Sequence, residues 1–229
     1  METVLRHSTK SGMLLMLFAA VGTAMLAATH LATRDIIAAS EKQAKLALIG
    51  QILPKALYDN DILQEARELP PTPELGNKDA TPLYLATLGG KPAVAVFEAV
   101  APDGYAGRIK LLLAVKANGE LSGVRVLDHH ETPGLGDYIM IAKDPWITRF
   151  DGLSLAKYTA QEWKVKKDGG KFEHRSGATV TPRAIVKAVH KALRHVEGNR
   201  DRFFAVAGGT AQDLRTSGTI LSPETLSSI

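Results

Sequence analysis

Two stretches of the chain combine residue types and spacings suited to chemistry. The first is RSGATVTPR, residues 175–183, which sets the hydroxyls of Ser176, Thr179 and Thr181 around Gly177 and Ala178 and just ahead of Pro182. Apolar residues then recur at Ile185, Val186, Val189, Leu193 and Val196, the stripe of an amphipathic helix. The pattern predicts Thr181 as the helix N-cap and Pro182 as the first helical residue, where a missing N–H is harmless. Thr179 is left without a structural task. A turn of small residues at a helix N-terminus suits an anion, because free N–H groups and the positive end of the helix dipole favour phosphate. Gly177 and Ala178 keep the approach to the backbone open. A threonine hydroxyl there can hydrogen-bond a phosphate or be esterified to one. An ordinary capped turn is the competing reading of the same spacing.

The second stretch is DHHETPGLGDYI, residues 128–139. It leaves a strand end, where sites often lie. Thr132-Pro133-Gly134 suggests a turn with Pro second and Gly third. Gly134 and Gly136 leave backbone bare enough for a flat ring, so Glu131, Thr132, Gly134, Leu135 and Gly136 are the candidate ligand contacts in this loop. His129, His130 and Glu131 also invite a metal reading. Adjacent residues rarely converge on one ion, and no partner histidine is evident, so an organic ligand or a solvated loop is favoured and no metal is expected.

Composition narrows the chemistry further. The 229 residues contain no cysteine, which excludes disulfides, cysteine-ligated iron–sulfur clusters and C-x-x-C-H haem attachment within this chain. A redox role would therefore need an organic carrier. The 28 Lys and Arg are interspersed with 24 Asp and Glu and form no nucleic-acid-binding stripe, so no nucleic-acid partner is expected.

The elements that must position these loops begin with an anchor. Residues 11–33, SGMLLMLFAAVGTAMLAATHLAT, hold no Asp, Glu, Lys or Arg and are long enough to cross a hydrocarbon core of about 30 Å. Arg6 and Lys10 precede the stretch, while Arg34 and Asp35 after it cancel. The positive-inside tendency puts the N-terminus in the cytoplasm and the remainder outside. A cleaved signal peptide is the rival, but no A-x-A site ends the stretch. Residues 35–53 continue a helical pattern that Pro54 ends. LPPTPELGNKDATP, 69–82, reads as an irregular connection.

Strands are expected at 93–100, 108–115 and 120–127, the last two joined through Asn118-Gly119 as a type I′ hairpin. A helix is expected near 137–149, broken or kinked at Asp144-Pro145. A second hairpin is expected from 161–167 and 171–174 across Asp168-Gly169-Gly170. From Gly208 onward the polar composition reads as a flexible tail. The segments are thus a cytoplasmic N-terminus (1–10), a transmembrane helix (11–33), a juxtamembrane helical segment (34–68), one α+β domain (69–207) and a tail (208–229).

In this order the motifs resemble a known family. LPKALYDNDIL at 53–63, HHETPGLGDYI at 129–139, WITRFDG at 146–152 and SGATVTPRAIVKAV at 176–189, behind an N-terminal anchor, look like the G subunit of the Rnf (Rsx) electron-transport complex. That complex is an ion-translocating oxidoreductase of bacterial membranes. The C subunit of the sodium-translocating NADH:quinone oxidoreductase shares the flavin-attachment motif and is the near alternative. The resemblance implies an extracytoplasmic FMN-binding domain, with FMN joined through its phosphate to the threonine of GAT, here Thr179. It also implies a flavin transferase that uses FAD and releases AMP, the other subunits of the complex as partners, and the lipid of the inner membrane. The attachment signal carries an aspartate six residues before the threonine, where this chain has Glu173. On this reading the chain carries electrons within a translocase and is not a complete catalyst alone. A stand-alone membrane-anchored flavoprotein and a cofactor-free binding or assembly module are the other classes to be separated from it.

Overall fold

The computed structural model describes residues 2–205; the expected C-terminal tail lies outside the described residues. Helix α1 (Glu2–Ile52) opens the chain. Its apolar stretch, Gly12–Ile37, is 26 residues with a mean hydropathy of 1.9 and no buried side chains. At 1.5 Å per residue this is about 39 Å, enough to cross a bilayer core. Within it Thr29 and Thr33 donate their hydroxyls back to the carbonyls of Met25 and Thr29, both at 2.9 Å, so neither needs water.

A second compact unit begins at Leu48. Its frame is a sheet that, among the described residues, has five strands in sequential antiparallel order. They are β1 (Arg67–Leu69), β2 (Thr81–Leu88), β3 (Lys91–Gly104), β4 (Gly107–Lys116) and β5 (Leu121–Asp128). Strands β3, β4 and β5 form where the apolar runs predict them. β1 and β2 were not expected, and residues 70–80 between them form the irregular connection expected over 69–82. β2 begins at Thr81, and Pro82 is tolerated because its neighbour β1 is only three residues long.

The sheet is apolar on both faces. Phe97, Ala99, Leu111, Leu113 and Val124 face helix α2 (Val180–Gly198), whose Ile185, Val189, Leu193 and Val196 complete one core. Helix α3 (Arg200–Phe204) adds Phe203, whose ring meets Phe97 edge-on at 5.0 Å. Strand alternation puts Val96, Leu112, Ala114, Gly123 and Arg125 on the opposite face. The last turn of α1 lies there, with Ile49, Ile52 and Leu53 buried. Ile52 presses onto Gly123, where a Cβ would come within 2.7 Å of its Cγ2. Ser122 donates to the Ile52 carbonyl at 2.6 Å, and Arg125 Nε donates to Gln51 Oε1 at 3.0 Å. Burial lowers the Arg125 pKa and raises that of nearby Asp151.

Three local expectations are corrected. The β4–β5 connection is not a type I′ turn, because among its residues only Gly119 has positive φ, at +85°. Gly119 N–H donates to Lys116 O and Lys116 N–H to Glu120 O, both at 2.8 Å, the pattern of a three-residue loop ending in a left-handed glycine. Residues 137–149 do not form one helix. Two 3-10 turns, Asp137–Ile139 and Pro145–Phe150, flank a break before Pro145, and Asp144 accepts from Trp146 N–H at 2.8 Å.

The expected hairpin over 161–174 is also absent. Val165 and Phe172 meet in a single parallel bridge around the 3-10 turn Lys166–Asp168. Trp163, Val165 and Phe172 all enter the core with Phe150. This aromatic packing, with Phe150 and Phe172 at 4.8 Å, overrides strand alternation.

Candidate functional site

The segment 175–181 is held from below by aromatic side chains. Trp146 Nε1 donates to the Glu173 carbonyl at 2.8 Å. The Arg175 guanidinium lies 4.5 Å over the Tyr138 ring and pairs with Asp144 at 2.6 Å. Burial raises the Tyr138 pKa. Between these supports Arg175 and Ala178 close a turn, with Ala178 N–H on Arg175 O at 3.1 Å and Gly177 at φ +82°. Only glycine takes that conformation without strain, which accounts for Gly177. Ser176 is exposed, whereas Ala178 is buried and turns its methyl to the core.

Thr179, half-buried, is the residue at the N-cap of α2, and its side chain makes no capping hydrogen bond. The first intrahelical bond runs from Arg183 N–H to Thr179 O at 3.3 Å. Pro182 therefore sits in the first turn, where its missing N–H leaves no bond unmade. Thr181 corrects the sequence expectation: it is not the cap. It is 1% exposed, and its hydroxyl donates to Glu131 Oε2 at 2.7 Å. The helix starts two residues earlier than the hydroxyl-before-proline pattern suggests, because an inward threonine finds a buried carboxylate as its acceptor.

The second loop folds as its residues predict. Leu135 N–H reaches Thr132 O at 3.1 Å across Pro133 and Gly134, and Gly134 has φ +78°. These are the features of a type II turn. Asp137 accepts from Gly134 N–H at 2.8 Å. The exposed Leu135 reaches across to the first loop, where its Cδ1 lies 3.8 Å from the position a Gly177 Cβ would take.

Glu131 differs from the expectation of a ligand contact. Its side chain is buried, and besides Thr181 it accepts from Ala106 N–H at 3.2 Å. Gly136 is also buried, and a Cβ there would lie 2.8 Å from Glu131 Oε2. Its bareness makes room for the carboxylate rather than for a ligand. Two loops some fifty residues apart are thus joined through one buried carboxylate, which also ties in the β3–β4 tip. Sequence reasoning missed that tip; the Gly104 and Gly107 flanking it were the available signal.

The histidines and Glu131 do not converge. His129 Nδ1 accepts from Glu131 N–H at 3.1 Å, and Glu131 faces inward. Glu173 is bonded to Lys166, the main reason its pKa lies below the usual carboxylate range.

The residues present suit a phosphate monoester. They offer a threonine hydroxyl with no hydrogen-bond partner among the described residues, at a helix N-terminus, beside a turn with a bare Cα. The class of the domain follows from comparison as well as geometry: residues 104–194 match the FMN-binding domain family, and residues 1–52 match the RnfG N-terminal region.

Relatives named as the G subunit of an ion-translocating oxidoreductase complex align along most of the chain. The protein of Pseudomonas aeruginosa strain UCBPP-PA14 is 46% identical over 202 residues, 87% of this chain and 94% of its own. That of Vibrio atlanticus strain LGP32 is 41% identical over 196 residues, covering 86% and 93%. That of Shewanella oneidensis strain MR-1 is also 41% identical, covering 86% and 92%. The chain belongs to the G-subunit family of ion-translocating oxidoreductase complexes.

Proposed function

We propose that this chain carries electrons within a membrane-bound complex that couples electron transfer to ion translocation. Its carrier is FMN esterified through the phosphate to Thr179. The names of the relatives and the FMN-binding domain match support the redox role and the complex. The observation that carries the attachment is the Thr179 hydroxyl, which caps nothing although it stands at the N-terminus of α2. FMN supplies the electron-accepting ring. The protein supplies an alcohol oxygen for the phosphoester and a positive helix end beside it.

Glu173, pinned by Lys166, stands where the attachment signal carries its acidic residue. A flavin transferase that uses FAD as donor joins FMN to the threonine and releases AMP. The other subunits of the complex accept and deliver the electrons. Arg6 and Lys10 hold the N-terminus in the cytoplasm, so the flavin domain lies on the periplasmic side of the inner membrane.

The test is Thr179→Ala in the full-length chain, co-expressed with an active flavin transferase in the same compartment. The variant is expected to lose the fluorescent flavin band of the denatured protein completely while its melting temperature stays close to that of the parent. A fluorescent Thr179→Ala protein places the ester elsewhere. A dark parent beside an active transferase removes the covalent flavin.

A further inference from the structure

The motif WITRFDG, residues 146–152, takes no part in the proposed attachment, yet it is gripped at both ends. Its body is the 3-10 turn Pro145–Phe150, whose Trp146, Ile147 and Phe150 are buried. The Trp146 and Phe150 rings meet edge-on at 5.6 Å, which stiffens the turn further. One end of this element holds the segment before Thr179. Asp144 Oδ1 accepts from Trp146 N–H at 2.8 Å, and Asp144 Oδ2 accepts from Arg175 Nη2 at 2.6 Å. Trp146 Nε1 donates to the Glu173 carbonyl at 2.8 Å.

The other end meets the last turn of α1. Asp151 Oδ1 lies 3.8 Å from Arg125 Nη1 and 3.3 Å from the position a Gly123 Cβ would take, the same bare spot onto which Ile52 presses. Arg125 Nε donates to Gln51 Oε1 at 3.0 Å, and Gly152 N–H fastens the motif to β5 through Leu121 O at 2.8 Å. Arg125 is only 6% exposed. An apolar side chain of equal volume often serves stability as well as a buried cation does. What the guanidinium adds is direction, since it faces Gln51 with one nitrogen and Asp151 with another.

We propose that residues 144–151 are a strut that couples the last turn of α1 to the turn presenting Thr179, with Arg125 as its positioning residue. The route runs from Gln51 through Arg125 to Asp151, along the 3-10 turn, and out through Asp144 and Trp146 to Arg175 and Glu173. A contiguous run of hydrogen bonds, charge contacts and packed rings of this kind carries a displacement from one end to the other. The strut stands on these contacts alone; that it ends at a flavin-bearing turn rests on the attachment at Thr179.

The chain has two tryptophans, which makes the test specific. The Trp146 indole N–H is bonded to the Glu173 carbonyl, whereas Trp163 Nε1 is buried without a partner among the described residues. Full-length protein in detergent, carrying isotope-labelled tryptophan, gives two indole signals by nuclear magnetic resonance, and Trp163 serves as the reference for general loosening. Arg125→Met and Gln51→Ala are each expected to speed hydrogen exchange at the Trp146 indole about threefold or more relative to Trp163. Arg125→Lys keeps a charge facing Asp151 and is expected to recover part of the difference. An unchanged ratio in Arg125→Met and Gln51→Ala overturns the strut. Equal acceleration of both indoles also overturns it and assigns Arg125 to general stability. Should Arg125→Met fail to fold, Gln51→Ala decides by itself. Both signals are read whether or not Thr179 bears FMN, so failure of the strut and failure of the ester are separate results.

Discussion

The flavin-binding domain has two regions built in opposite ways. Where the chain enters the domain, the last turn of α1 and the residue after it are pressed into the sheet through Ile49, Ile52 and Leu53, and backbone and side-chain bonds fill the remaining gaps. The following DND run is zipped to β2. Asp59 N–H donates to Thr87 O at 2.9 Å, and Asn60 donates to Leu85 O at 3.0 Å while accepting from Thr87 N–H at 2.9 Å. Gly123 is needed there for space.

The loops around Thr179 are the reverse. Gly134 and Gly177 are needed for their backbone conformation, and a Cβ on either meets no close obstacle. Hydroxyl and backbone groups stay available, and the apolar side chains face outward. Burial stabilises one region, and pre-set exposure equips the other. A substitution in the first should therefore register in stability, and one in the second in flavin chemistry.

A matched pair of glycine substitutions breaks or sharpens that contrast most strongly. Gly123→Val forces three carbons against Ile52 and should cost about 3 kcal/mol through overpacking. Tryptophan fluorescence reads the melting temperature directly, since Trp146 and Trp163 both lie in this domain. The flavin band should persist in the fraction that folds. Gly177→Val meets only the end of the flexible Leu135 side chain, 3.8 Å from its Cβ, and pays mainly the strain of its positive φ, about 1–2 kcal/mol. It should nevertheless reduce flavin attachment, because the turn before Thr179 must rearrange. Equal attachment in the two variants would erase the distinction between the regions.

An intermediate effect is expected at the tie between the two loops. Thr181→Ala removes the donor to a buried carboxylate and should cost about 2 kcal/mol. Thr181→Ser keeps the hydroxyl and should recover most of that loss. Both should remain fluorescent when denatured, since the ester is assigned to Thr179. A loss near 0.5 kcal/mol or less, the scale of a weak surface cap, would show that the Glu131 bond does not hold the loops together.

The smallest effect is a pH dependence in the core. His190 stacks on Trp163 at 5.3 Å with 6° between the rings, and burial, helped by the charge of Arg194, lowers its pKa below 6.5. The folded state thus binds fewer protons at this site than the unfolded chain. Its contribution is fully present above about pH 6.5 and declines as pH falls toward the depressed folded value. Melting temperature should drop between about pH 7.5 and 5. His190→Gln should flatten part of that slope, leaving the part due to His195, whose pKa burial also lowers. An unchanged slope would assign the acid sensitivity elsewhere.

What the sequence determined by itself was local. The apolar anchor, the period of α2, the Thr132-Pro133-Gly134 turn and the small turn at Gly177-Ala178 are set within a few residues, by backbone sterics and hydrophobic spacing. The prominence of Thr179 was legible in the same way, since two threonines stand before one proline. Which threonine was structurally occupied was not. Local spacing favoured Thr181 as the cap, but its partner is Glu131, fifty residues away.

The hairpin expected over 161–174 yielded to aromatic packing with Phe150 for the same reason, and β2 formed because β3 on one side and β1 and the DND run on the other were there to pair with it. The roles of Gly123, Gly136 and Ala106 were likewise decided by Ile52 and Glu131. Tertiary structure settled these because a buried polar or bare residue is fixed by the partner it meets, and that partner is distant in the chain.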